Sequence, residues 1–167
     1  RAQSALDKFN DQKTKYVRDD IPGTFTCGVQ YSPIETVRLN AGFHHYDDCN
    51  AVKYNNEQDL INGGTREILF GAEWDATKLL TVSAGWQNTH YDLSDKYMAD
   101  MSYNLSSNMI ALGVRLNVSE KVNIDLGYMH NFYDDRTVET PVSAGITKID
   151  TYERKNDVVA VGVNIKF

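Results

Sequence analysis

The sequence holds only two cysteines and three prolines in 167 residues, and no run approaches the eighteen apolar residues that a membrane-crossing helix needs. Cys27 and Cys49 are too few for a disulfide framework or a cysteine-based metal site. Positive charge is also scarce: 17 Lys and Arg against 23 Asp and Glu give a net charge of -6. No basic patch stands out, so no nucleic-acid partner is expected. The histidines are His44, His45, His90 and His130, spread over the chain with no persuasive nucleophile beside them. A catalytic triad or acid pair needs its members at one place, so an enzyme is not expected and no cofactor is implied. His44 and His45 point to opposite faces of a strand, which argues against a shared metal ion with Asp47 and Asp48. The opening RAQSALDKFN does not read as a natural start and points to a processed, trimmed or fragmentary chain.

What the sequence does have is a repeat. CGVQYSPIETVRLNAGFHHYDD, FGAEWDATKLLTVSAGWQNTHYD and LGVRLNVSEKVNIDLGYMHNFYDD align with one another. Each carries two glycines fourteen residues apart, Gly28 and Gly42, Gly71 and Gly85, Gly113 and Gly127, and the second is followed by Phe43, Trp86 or Tyr128. The units recur every 42 or 43 residues. Within each, apolar and polar residues alternate with period two, the pattern of a half-buried strand. With turns at SPIET, DATKL and NVSEK, the glycines of each unit should face each other across a hairpin. Such pairs either clear a smooth patch or serve strand coiling. The closing VVAVGVNIKF adds one more alternating strand, ending on Phe167.

This pattern predicts seven strands, at 24–32, 37–46, 67–75, 80–88, 108–117, 122–131 and 157–167. Connections inside the hairpins are short, and those between them, 47–66, 89–107 and 132–156, are long and polar. Strands of nine to eleven residues with this asymmetry fit an antiparallel transmembrane β-barrel with short periplasmic turns and long outer loops. Tyr31, Trp74 and Phe167 fall at the short-turn end, and Phe43, Trp86 and Tyr128 higher on the neighbouring strands, as membrane-interface aromatics would. Bacterial single-chain barrels have an even strand number and lipid tolerates no open edge. Seven strands are therefore expected to be the C-terminal part of a larger barrel. Residues 1–20 read as an extracellular loop segment, with a short helix over SALDKFNDQKTKYV, and 21–167 as the barrel half.

The stretches DDIPGTFTCGVQYSPIETVRLNAGFHHYDD, GAEWDATKLLTVSAGW, LGVRLNVSEKVNIDLGY and AVGVNIKF resemble the FadL/OmpP1/TodX family of outer-membrane transporters, in its Bacteroidetes-like form. The resemblance runs from about Asp20 to Phe167. It implies a fourteen-stranded barrel, of which these are the last seven strands, and passive uptake of long-chain fatty acids or similar hydrophobic molecules. It also implies an outer-membrane location with a periplasmic C-terminus. The implied partners are outer-membrane lipid and lipopolysaccharide, a hydrophobic small-molecule ligand, a missing N-terminal half carrying a hatch, and the barrel-assembly machinery reading Phe167. A structural or adhesive barrel is the first alternative function and a barrel enzyme the second.

The polar phase supplies the lumen-lining candidates: Arg38, Asn40, His44, Glu67, Glu73, Gln87, Arg115, Asp125 and Lys166. Opposite charges there are expected to pair or to hold a plug. Arg38 and Arg115 could also meet a carboxylate ligand through the planar guanidinium fork. Clustered Asp and Tyr in HHYDDC, HYDLSDKYMADM and NFYDDR could take calcium bridging lipopolysaccharide phosphates. Tyr97, Met98, Met101 and Leu105, with Leu60 and Ile61, could give a ligand an apolar landing place.

Overall fold

The computed structural model describes residues 19–99, 103–143 and 145–166. The expected N-terminal helix, Met101 and Phe167 lie outside them. Among the described residues nine strands are formed: β1 (Gly23–Ile34), β2 (Val37–Asp47), β3 (Ile61–Asp75), β4 (Leu80–Leu93), β5 (Ser107–Asn117), β6 (Val122–Tyr133), β7 (Arg136–Ser143), β8 (Ile146–Tyr152) and β9 (Lys155–Ile165). Short 3-10 turns at Asp48–Asn50, Tyr54–Leu60 and Asp95–Tyr97 fill the longer connections.

Seven strands make one antiparallel sheet in the order β1-β2-β3-β4-β5-β6-β9, and β7 and β8 form a separate hairpin. Each expected glycine pair is in register: Gly28 with Gly42, Gly71 with Gly85, and Gly113 with Gly127. The tight turns owe their shape to local side-chain bonds. Thr77 Oγ1 accepts from the amides of Leu79 and Leu80, and Ser119 Oγ from those of Lys121 and Val122. A hydroxyl in this role offers the backbone a turn in place of a continued strand.

The sheet does not close. Among the described residues β1 pairs only with β2 and β9 only with β6, and no ladder joins β9 to β1. The expected antiparallel transmembrane barrel, seven strands of a probable fourteen, is therefore corrected to an open all-β sheet with an attached hairpin. The overreach has a physical reason. Period-two alternation reports that a strand has two different faces, and short turns report that neighbours run antiparallel. Neither reports whether the first strand meets the last. With the barrel go the passive channel for fatty acids and both barrel alternatives, since an open sheet encloses no lumen. The expected outer-membrane location rested on the same closure. So did the partners inferred from it: membrane lipid, lipopolysaccharide, a transported hydrophobic ligand, a hatch-bearing half and the assembly machinery at Phe167. An unpaired edge leaves amides and carbonyls that hydrocarbon cannot satisfy. No helix among the described residues is long and apolar enough to cross a membrane, which by itself says nothing about strands.

Two further corrections concern the connections. The segment 132–156, read as loop, contains the β7–β8 hairpin, and β3 begins at Ile61 inside the predicted loop 47–66. The second long loop is no exposed landing place. Met98 and Leu105 are buried with Val138 and Tyr152 in a small core, against which Tyr103 and Tyr133 pack. Arg136 ties the hairpin down, its Nη2 donating to the Leu93 carbonyl at 2.7 Å and to Asp95 Oδ1 at 2.8 Å.

Gly64 shows where backbone crowding dictates the residue. A Cβ there would collide with the Tyr46 carbonyl oxygen across the ladder, and backbone cannot yield cheaply. At Gly71 the nearest atoms stand 3.9 Å away. Gly64→Ala should destabilise the fold by about 1–3 kcal/mol, the usual cost of overpacking. Gly71→Ala should stay within about 1 kcal/mol of wild type. Urea unfolding of both variants checks the contrast, and equal losses would contradict it.

Candidate functional site

Alternation sorts the sheet into two unlike faces. On one, Phe25, Val29, Tyr31, Leu39, Phe70, Trp74, Trp86, Leu112, Val159 and Val161 stand exposed. Phe70 and Trp86, directly paired across β3 and β4, stack with centroids 5.8 Å apart. Together with Leu39 they wall a shallow cavity of about 450 Å³ floored by Ala72 and Ala84. The aromatic candidates Tyr31, Phe43, Trp74, Trp86 and Tyr128 all share the alternation phase of this face. The interface role assumed for them depended on the membrane barrel.

The other face carries two polar clusters, one on either side of the glycine pairs. Near the short turns, Arg38 Nε meets Glu73 Oε1 at 2.5 Å, while Nη1 and Nη2 take Asp75 Oδ2 and Oδ1 at 2.7 and 2.8 Å. This is a fork-on-carboxylate pair, the strongest geometry open to an arginine. Asp75 Oδ1 also accepts from Thr81 Oγ1 at 2.7 Å. Across β5 and β6, Arg115 Nε donates to Asp125 Oδ1 at 2.6 Å, and Asn164 Nδ2 to Asp125 Oδ2 at 2.7 Å. Arg115, Asp125, Glu73 and Thr81 line a cavity of about 220 Å³ beside Ser83 and Gly113.

Nearer the long connections, Glu67 is the hub. Its Oε2 lies 3.0 Å from His44 Nδ1 and accepts from the Tyr46 hydroxyl at 3.3 Å. Its Oε1 accepts from Gln87 Nε2 at 3.1 Å and Thr89 Oγ1 at 3.3 Å. Desolvation, then the Glu67 charge, pushes the Tyr46 phenol above its ordinary value. Further out, Asp48 Oδ2 accepts from the amide and hydroxyl of Thr65, and Lys53 Nζ lies 3.6 Å from Asp19 Oδ1. These residues border a polar cavity of about 360 Å³ with Tyr91 and Tyr97.

Of the nine candidates, the structure brings Arg38 to Glu73, both His44 and Gln87 to Glu67, and Arg115 to Asp125. Asn40 faces Gly71 across the β2–β3 ladder, and Lys166 lies just past β9, its amide donating to the Lys121 carbonyl. With the sheet open, these side chains line a face and not a lumen. His44 and His45 do fall on different faces: His44 pairs with Glu67 in register and His45 with Arg66. Among the described residues no three of His, Cys, Asp and Glu are placed to hold a metal ion.

Asp75, Tyr46, Thr81, Thr89 and Asn164 were missed by sequence reasoning. The signal was present for Asp75, two residues after Glu73 on the same face and so diagonal to Arg38. Its place beside a turn disguised it. Another missed group sits at the outer end of the apolar face. His130 Nδ1 and the Tyr128 hydroxyl both donate to Asp157 Oδ1, at 2.6 and 2.7 Å. Those two hydrogen bonds, His130 foremost, hold the Asp157 carboxyl below its ordinary value.

No protein-family model matches the chain, and no curated protein matches it. The FadL-like resemblance thus gains nothing from comparison, and the open sheet removes the fold it implied.

The Arg38 guanidinium, then the Thr81 hydroxyl, hold the Asp75 carboxyl at about 2, against an ordinary 3.8. A carboxyl depressed in the folded state contributes stability that is complete above its unfolded value and fades as pH falls through the folded one. Stability should therefore drop as pH is lowered from 3.8 towards 2, where Asp75 loses its charge. Asp75→Asn keeps the shape and removes the titrating group, so its stability should fall less steeply across that window. Urea unfolding at stepped pH reads this, and superimposable slopes would remove Asp75 from the account.

Proposed function

We propose that this chain is a non-catalytic assembly module whose open sheet is completed by strands from a polypeptide partner. The observation that carries the reading is the pair of long edge strands, β1 and β9, each hydrogen-bonded on one side only among the described residues. A strand of this length with a free side presents a row of unpaired amides and carbonyls, a template for another strand. The strongly polar residues fit a structural role. Their charges are turned on one another: Arg38 on Glu73 and Asp75, Arg115 on Asp125, and Glu67 on four neighbouring side chains. A catalytic group needs a free lone pair or proton at a place substrate can reach.

The apolar face supports the same reading. Val159 is 75% exposed and Val29 66%, at opposite edges of the sheet, with Phe70 at 55% between them. Exposed apolar surface that is contiguous over many residues marks an interaction site in a folded protein. Strand addition at the edges widens this face and brings partner side chains onto it. The partner is thus a β-forming polypeptide that alternates apolar and polar residues in the same phase.

Hydrogen exchange on protein purified under non-denaturing conditions from its own source tests the proposal. Amides of at least one of the two edge strands, β1 or β9, should then exchange as slowly as those of the central β4 and β5. If both terminal strands exchange at the rate of exposed edges in every such preparation, no strand completes the sheet and the proposal fails.

A further inference from the structure

The two edges are not equivalent, and the difference identifies a partner for one of them. β1 is blunted. It contains Pro33, its register with β2 slips between Tyr31 and Ile34, and at its start the Asp20 amide bonds the Val52 carbonyl. Proline and register slips are how natural sheets discourage pairing at an edge. β9 has neither. From Val158 to Ile165 it reads VVAVGVNI, with no charge and no proline, and its ladder to β6 runs unbroken from Lys155 to Ile165.

Strand direction narrows the choice. The amide of Lys166 donates inward to the Lys121 carbonyl of the strand's own neighbour. Because successive residues of a strand point their backbone groups to alternate sides, the odd-numbered residues of β9 turn theirs outward. These are also the residues on the apolar face. A second β9, related by a two-fold axis perpendicular to the sheet, meets this row antiparallel and keeps both apolar faces on the same side. Joining β9 of one copy to β1 of the next, with the apolar faces aligned, would instead bring two strands together parallel. Seven alternating strands leave both edges running the same way.

We infer that β9 pairs with β9 of a second copy of this chain, antiparallel about an axis through Gly162. That register sets Val161 against Val163 and Val159 against Ile165 of the second copy. It opposes β-branched side chains on the apolar face, sets Ala160 against Asn164 on the other, and leaves Lys155 and Asp157 beyond the stretch from Val159 to Ile165. Cross-strand pairs of this kind are the unit of sheet stabilisation. Gly162 on the axis lets the two backbones approach at a narrow pair. This inference rests on the assembly reading above and names its partner at one edge.

The test uses the recombinant chain alone, carrying Cys27→Ser and Cys49→Ser so that no native thiol interferes. At Gly162 a Cβ would stand 3.6 Å from Asp125 Cβ, an ordinary contact, so a side chain fits. Gly162→Cys should form a disulfide-linked dimer under mild oxidation, its two Cα atoms lying about 4.5 Å apart. Val158→Cys, on the same face, should not, because the two copies of that position would lie about 27 Å apart along the strand. Val161→Lys, at a position 70% exposed in the single chain, should keep the far-ultraviolet spectrum and weaken dimerisation in sedimentation by at least about tenfold. Equal cross-linking at 162 and 158, or a dimer indifferent to Val161→Lys, would overturn the pairing. A recombinant chain that stays monomeric would also overturn it. If β9 were nevertheless slow to exchange in native preparations, assembly itself would stand, with a different partner.

Discussion

The constraint from which the rest of this structure follows is one of parity. Seven strands laid side by side, each antiparallel to the last, put the first and the seventh in the same direction. Bending such a sheet until its edges met would join two parallel strands in an otherwise antiparallel ladder. The connections inside the three hairpins are tight turns, and the Thr77 and Ser119 hydroxyls lock two of them through backbone amides. Among the described residues the sheet is open, and its two edge strands run the same way.

Openness changes what each face must do. In a closed structure one face is solvated by an interior and the other by whatever lies outside. Here the polar face is held together by its own charges. Arg38 spans from Glu73 to Asp75, which reaches Thr81 on β4, and Arg115 on β5 reaches Asp125 on β6, which Asn164 of β9 also bonds. Half-exposed ion pairs contribute modestly one by one, but bidentate geometry and shared acceptors tie successive strands together. They fix register. A slip of one residue in β3 would carry Glu67, Glu73 and Asp75 to the apolar side and strand their partners.

The sheet itself was largely legible from the amino-acid sequence, because its signals are local. Glycines fourteen apart set three hairpins in register, and alternation assigned Arg38, Glu73, Arg115 and Asp125 to one polar phase, while the pairing of Arg38 with Glu73 and of Arg115 with Asp125 comes from the folded ladders. The β7–β8 hairpin escaped. Its segment TVETPVSAGITKIDTY contains Pro141 and short apolar stretches, and its reasons to fold, burial of Val138 and Tyr152 against Met98 and Leu105 and the Arg136 bonds, lie outside it. The four buried residues come from three separated segments, so no window of sequence contains the cause. Closure failed for a similar reason. Whether β9 meets β1 is a relation between opposite ends of the chain, and alternation is silent about it.

The same distinction explains why the apolar face misled. A row such as Val159, Val161, Val163 and Ile165 is identical in sequence whether it ends up against lipid, against another sheet or against a second copy of itself. What separates these cases is the backbone beside it. A lipid-facing row requires both sides of its strand to be paired, because hydrocarbon offers no replacement for a missing hydrogen bond. A row whose strand is free on one side carries an unmet hydrogen-bonding demand together with its apolar surface. A further strand satisfies both at once, amide to carbonyl along the edge and side chain to side chain across the face. At β9 the two demands coincide in the same residues, since those that turn their backbone outward also turn their side chains to the apolar face.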